Sequence, residues 1–205
     1  MRRSPLAFLC LILFCIVTGA IAQSLPAGYA VQDGISGKNQ VFADLDGDGN
    51  RDILAVVENN GQTMVYASLQ EGKLILKSKD APRCCNQIEL AKNVIVLHSN
   101  GMRGFYIWRF RYNPSLHNFQ LIGMDTESFG NAVHDASGTS SFNLITGDFE
   151  AKYNSWNEKQ KKLIALTPVK KKLKPGREIL LTDFGDESDD YVLGLMQKFL
   201  PKEVR

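Results

Sequence analysis

Apolar positions alternate with polar ones, or gather in short β-branched blocks, along most of this chain, and only its last segment follows a helical period. Gln23 to Asn39 carries Pro26, Gly28, Gly34 and Gly37 and predicts an irregular arm or one short edge strand. Val41 to Ala43 predicts a short strand. Ile53 to Val57 predicts a buried one, with an acidic stretch between the two. Asn59-Asn60-Gly61 marks a turn. Thr63 to Leu69 and Lys73 to Lys79 then read as a hairpin around Gln70-Glu71-Gly72. Asp80 to Gln87 is a loop, Ile88 to Leu97 one apolar stretch, and Ser99-Asn100-Gly101 turns the chain back.

Phe105 to Tyr112 is the strongest strand signal, broken by Asn113-Pro114-Ser115 and returned antiparallel by Asn118 to Met124. Asp125 to Thr139 reads as a long polar loop. Ser141 to Gly147, Phe149 to Trp156, Lys161 to Val169 and Arg177 to Leu181 read as strands, with a Lys-rich turn at Pro175-Gly176. Tyr191, Val192, Leu195, Met196 and Phe199 fall at helical spacing. Ser188 is the expected cap, and the carboxylates from Asp186 to Asp190 suit a helix N-terminus. The expected fold is mainly β, with antiparallel sheets in an open or partial propeller-like arrangement and one C-terminal helix. Strand pairs recur roughly every 40 residues, a spacing compatible with propeller blades.

The first 22 residues change the picture. Arg2 and Arg3 precede an apolar run from Leu6 to Val17, and Ala20-Ile21-Ala22 offers small residues where a signal peptidase cuts. The run is short for a bilayer span, so residues 1–22 read as a secretory signal and 23–205 as a single β-rich domain. The signal removes Arg2 and Arg3 but no acid. The remaining 22 basic and 22 acidic residues balance. Nothing global then points to nucleic acid, and no second stretch is apolar enough to span a membrane. The expected location is periplasmic or secreted. There, Cys84 and Cys85 can oxidise together, pair between chains or remain thiols, and adjacent cysteines fit no standard zinc spacing.

Chemistry concentrates in Asp44-Leu45-Asp46-Gly47-Asp48-Gly49-Asn50-Arg51-Asp52. Carboxylates crowded this closely repel one another unless a cation neutralises them, and calcium accepts six to eight such hard oxygens. Counted from Asp44, positions 1, 3, 5 and 9 are Asp44, Asp46, Asp48 and Asp52. Position 7 is Asn50, offering a backbone carbonyl, and position 6 is Gly49. This follows an EF-hand loop until position 12, where Ala55 replaces the bidentate Glu, and the β-branched flanks are not those of an EF-hand. The whole segment from Val41 to Val57 resembles the FG-GAP/VCBS repeat of integrin-α-like propellers and many secreted bacterial proteins. The resemblance covers about 20 residues in one complete copy. It implies a structural calcium ion held by the side chains of Asp44, Asp46, Asp48 and Asp52 and the backbone of Asn50. Thr146-Gly147-Asp148-Phe149-Glu150 is a degenerate echo of the same motif.

Other features are weaker. Tyr106, Trp108, Phe110 and Tyr112 share one strand face, suiting either a core or a sugar-stacking platform, while Arg109 and Arg111 take the opposite face. His98, His117 and His134 show no ligand or triad spacing. Glu127, Asp135, Asp148 and Glu150 are scattered carboxylates without a favoured pair. Lys170-Lys171-Lys172-Leu173-Lys174 reads as a solvated turn, with acidic cell-surface polymers as the sharper alternative. No nucleophile elbow, metalloprotease motif or phosphate loop is present. The expected role is therefore binding or structural at the cell envelope, with an unknown protein or an envelope polysaccharide as partner. The alternative is a small envelope-polymer hydrolase or an enzyme accessory domain.

Overall fold

The computed structural model describes residues 24–35, 37–81 and 85–204. The expected signal peptide and Cys84 lie outside these residues. In chain order the described strands are β1 (Ala30–Val31), β2 (Asp33–Gly34), β3 (Gly37–Lys38), β4 (Gln40–Ala43), β5 (Asp52–Asn59), β6 (Gln62–Leu69), β7 (Leu74–Lys77), β8 (Gln87–Ala91), β9 (Val94–Gly101), β10 (Gly104–Asn113), β11 (Asn118–Ser128), β12 (Gly138–Asn143), β13 (Asp148–Asn157), β14 (Lys162–Ala165) and β15 (Val169–Lys172). One helix, α1 (Asp186–Gln197), follows.

These strands make two open antiparallel sheets and a two-stranded finger. The smaller sheet runs β1-β5-β6-β7, and β4 also pairs with β5. Strands β1 and β4 lie end to end along one edge of β5, and the finger β2–β3 is an excursion between them. β5 is buried on both faces, which explains its unbroken apolar run. Leu54 and Val56 face the main core. Ala55 and Val57 face a smaller cluster closed by Tyr66, with Leu25, Tyr29, Val31 and Met64 packed against it. The N-terminal arm is thus the lid of a second, minor core.

The larger sheet is a meander in the order β14-β13-β12-β11-β10-β9-β8, with β15 beside β13. Residues of its inner face line up across the strands. Leu97, Trp108, Met124, Phe142 and Phe149 form a fully apolar row. Two residues further along, the row is Ser99, Tyr106, Thr126, Ser140 and Ala151. The next is Gly101, Gly104, Ser128, Gly138 and Tyr153. The same face therefore changes from large and apolar to small and hydroxylated toward one end.

Phe184 lies edge-on to Trp108 and Phe110, with ring centroids 5.7 and 5.1 Å away. The helix follows at once. Its N-cap is Gly185, not Ser188. Ser188 sits three residues inside and its Oγ accepts the Gly185 amide at 2.9 Å. Acids fill the first turn, and Asp189 Oδ1 accepts the Trp108 indole N–H at 2.8 Å, tying helix to sheet. Val192 and Met196 are buried in the main core. Among the described residues no helix is long and apolar enough to cross a membrane.

Several boundaries differ from expectation. The apolar stretch 88–97 is a hairpin turned at Lys92, which takes φ 58° without a glycine to announce it. The polar stretch 125–139 holds the expected loop, but a shorter one: β11 continues to Ser128 and β12 begins at Gly138, so the loop is 129–137. Hydroxyl side chains on both faces conceal those strand ends. Residues Val169–Lys172 form strand β15 against β13, because Glu150 and Asp148 across the ladder pair with Lys170 and Lys172. Arg177 to Leu181 makes one isolated bridge, Gln120 to Leu180, in place of a strand.

Candidate metal centre

The acidic segment is the connection of the β4–β5 hairpin, whose last paired residues are Ala43 and Asp52. Gly47 and Gly49 both take φ 85°, in the left-handed region open to glycine, and a Cβ at either would meet nothing. These two residues curl the loop back on itself. Leu45 is buried and packs into the main core, pinning the loop from below. At the strand ends, the Arg51 guanidinium lies 4.7 Å over the Phe42 ring.

The curl turns carboxylates inward. Asp44 Oδ1 accepts the Gly47 amide at 2.7 Å and Asp44 Oδ2 the Gly49 amide at 3.1 Å. Asp46 Oδ1 accepts the Asp48 amide at 3.1 Å, and Asp48 Oδ1 the Asn50 amide at 2.7 Å. One carboxylate oxygen from each of Asp44, Asp46 and Asp48 lies within 4.8 Å of the others. Among the described residues, no Lys or Arg forms an ion pair with these three.

Asp52 is the fourth expected ligand, and it is wholly buried. Its Oδ2 accepts the Leu45 amide at 2.8 Å, while Oδ1 has no hydrogen-bond partner. Burial pushes its carboxyl up to about 6, against the Leu45 amide and a weaker approach of the Gln70 amide, and the charges of Asp46 and Asp48 push the same way as burial. Tyr112, on β10 of the larger sheet, feels the same loop. Burial raises its phenol, and the negative field of Asp46, Asp52 and Asp48 adds to that. The loop thus lies where the two sheets meet.

The donor set fits a hard cation. All side-chain donors are oxygens, and each bonded carboxylate oxygen keeps a second lone pair. The orphaned Oδ1 of Asp52 is the kind of buried acceptor that a cation satisfies. The structure brings Asp44, Asp46 and Asp48 together. Asp52 anchors the loop from within the sheet, outside that three-residue cluster, and the side chain of Asn50 donates to Asp48 Oδ2 at 3.2 Å.

The weaker candidates disperse. Trp108 and Phe110 of the aromatic stripe are core, and only Tyr106 at its end is exposed. Asp148 is held below its usual range by a hydrogen bond from Lys172 and then one from Thr146, and Glu150 by Lys152. Asp125 pairs with Arg109 at 2.5 Å. Asp135 Oδ1 accepts the Trp156 amide at 2.7 Å. The His98 ring lies 3.6 Å from Glu89, and His134 Nδ1 lies 3.1 Å from the Phe129 carbonyl. Cys85 is buried and disulfide-bonded.

No known protein family, curated protein or solved structure matches this chain.

Proposed function

We propose that this chain is an exported β-domain stabilised by one calcium ion in the β4–β5 loop, with a binding or structural role at the cell envelope. In this reading Val41 to Val57 is an FG-GAP/VCBS-type hairpin. The side chains of Asp44, Asp46, Asp48 and Asp52 and the carbonyl of Asn50 hold the ion. The observation that carries it is the convergence of three carboxylates within 4.8 Å with no compensating Lys or Arg among the described residues. When bound, calcium supplies neutralisation and rigidity, and no catalytic step is assigned to it. The outer-face acids Asp125, Asp148 and Glu150 are paired with Arg109, Lys172 and Lys152, which favours binding over hydrolysis. The test is thermal unfolding in calcium and in chelator. Calcium at ten times a dissociation constant of about 10⁻⁴–10⁻³ M contributes about 1.4 kcal/mol, or about 3–6 °C for a domain of this size. Superimposable melting curves would count against the reading.

A further inference from the structure

We propose that the cleft between the hydroxylated end of the larger sheet and α1 is a binding site for a neutral sugar ring. It supplies a ligand class for the binding role above, and it does not depend on the calcium loop. The cleft encloses about 350 Å³, within the usual range of small-molecule sites. Its floor is the inner sheet face where large apolar residues give way to Thr126, Ser128, Ser140, Gly101 and Gly104. Its roof is Leu193, Met196 and Gln197 of α1, together with Leu200.

Two tyrosines supply the chemistry. Tyr106 presents its ring at 38% exposure and is held nearly parallel to Trp108, with centroids 6.0 Å apart and planes 23° apart. A fixed, accessible aromatic face suits the flat C–H face of a pyranose. Tyr153 is only 6% exposed and lines the cleft, yet its hydroxyl has no hydrogen-bond partner among the described residues. That hydroxyl opens onto the cleft instead of being sealed in the core, so a ligand there would take up a hydrogen bond otherwise made to water. Thr126 Oγ1 and Ser140 Oγ lie 2.7 Å apart, and each hydroxyl keeps capacity to donate or accept.

Charge sets the ligand class. The cation on the rim, Arg103, donates from Nη1 to the Gly130 carbonyl at 3.1 Å. Glu127 also lines the cleft, but it alternates with Thr126 and Ser128 along β11, which puts its side chain on the outer sheet face. Arg103 keeps its charge at the rim, and inside it the lining combines hydroxyls, the Gln197 amide and two tyrosine rings with the apolar Leu193, Met196 and Leu200, a mixed surface that suits the C–H and O–H faces of a sugar ring better than an acyl chain.

The experiment is a protein-observed NMR titration with glucose, galactose, mannose, N-acetylglucosamine and their β-1,4-linked dimers, and with octanoate as the apolar control, in calcium and again in chelator. At least one sugar should shift the amides of Gly101, Gly104 and Ser128 saturably, with a dissociation constant of about 10⁻³ M or tighter. Tyr106→Ala should weaken that binding about tenfold and Tyr153→Phe about fivefold, the latter preserving the packed ring. The proposal is overturned if no sugar perturbs these amides up to about 50 mM. It also fails if octanoate binds there as well as any sugar does, or if Tyr106→Ala and Tyr153→Phe both bind unchanged. The calcium loop amides are scored separately, so a failure there leaves this outcome readable.

Discussion

Two hairpin loops of this molecule begin alike and end differently. The β4–β5 loop and the β12–β13 loop both curl through glycines with positive φ, Gly47 and Gly49 in one and Gly147 in the other. Both use a short polar side chain as the internal template. Asp44 receives the amides of Gly47 and Gly49, while Asn143 Oδ1 receives those of Ile145 and Thr146 at 3.0 and 2.9 Å. The second loop carries one acid, Asp148. Lys172 answers it at 2.7 Å and also donates to the Thr146 carbonyl at 3.0 Å. The first carries three converging acids above a buried fourth, and among the described residues no lysine answers them. The chain neutralises one loop itself. In the proposed reading the other takes its cation from solution, and that difference would make the first loop's stability a function of the medium.

The largest expected effect is at Asp52. Asp52→Ala removes a buried partner of the Leu45 amide as well as a proposed ligand, and should cost about 2–4 kcal/mol in chemical denaturation in calcium. A loss within experimental error would show that the loop is not anchored through this residue. Next is Asp46→Ala, which leaves fold and anchor in place. It should abolish the calcium-dependent melting shift of about 3–6 °C and raise chelator-state stability slightly by relieving repulsion. A retained shift would move the site away from the loop. Lys172→Met should cost at most about 1 kcal/mol, as expected for an exposed pair, and should introduce no calcium response. Calcium sensitivity gained by this variant would mean that one residual acid suffices, contrary to the contrast drawn here. Smallest is Phe42→Ala, which deletes the cation–π contact with Arg51 for about 0.5–1 kcal/mol and should leave the calcium shift intact.

The central features of this comparison were legible in the chain. The acidic spacing, the glycines and the β-branched flanks of Val41–Ala43 and Ile53–Val57 locate the hairpin loop, because local turn chemistry and strand propensity agree there. The mainly β character and the terminal helix follow from periodicity for the same reason. What escaped lies where local signals are weak. Lys92 turns a hairpin at positive φ without a glycine. Thr126, Ser128 and Thr139 continue strands with side chains that read as loop. Lys170 to Lys172 looks like a solvated turn until Asp148 and Glu150 arrive from β13. The cleft depends on Tyr106, Tyr153 and α1, brought together over long sequence separations, and no local pattern encodes that meeting.

The most direct test is an NMR titration of the chelated protein with calcium, following three glycine amides. The account predicts that Gly47 and Gly49 shift saturably, with a midpoint of about 10⁻⁴–10⁻³ M, while Gly147 stays still. Gly47 and Gly49 unmoved at about 10 mM calcium, or all three glycines drifting together without saturation, would contradict it.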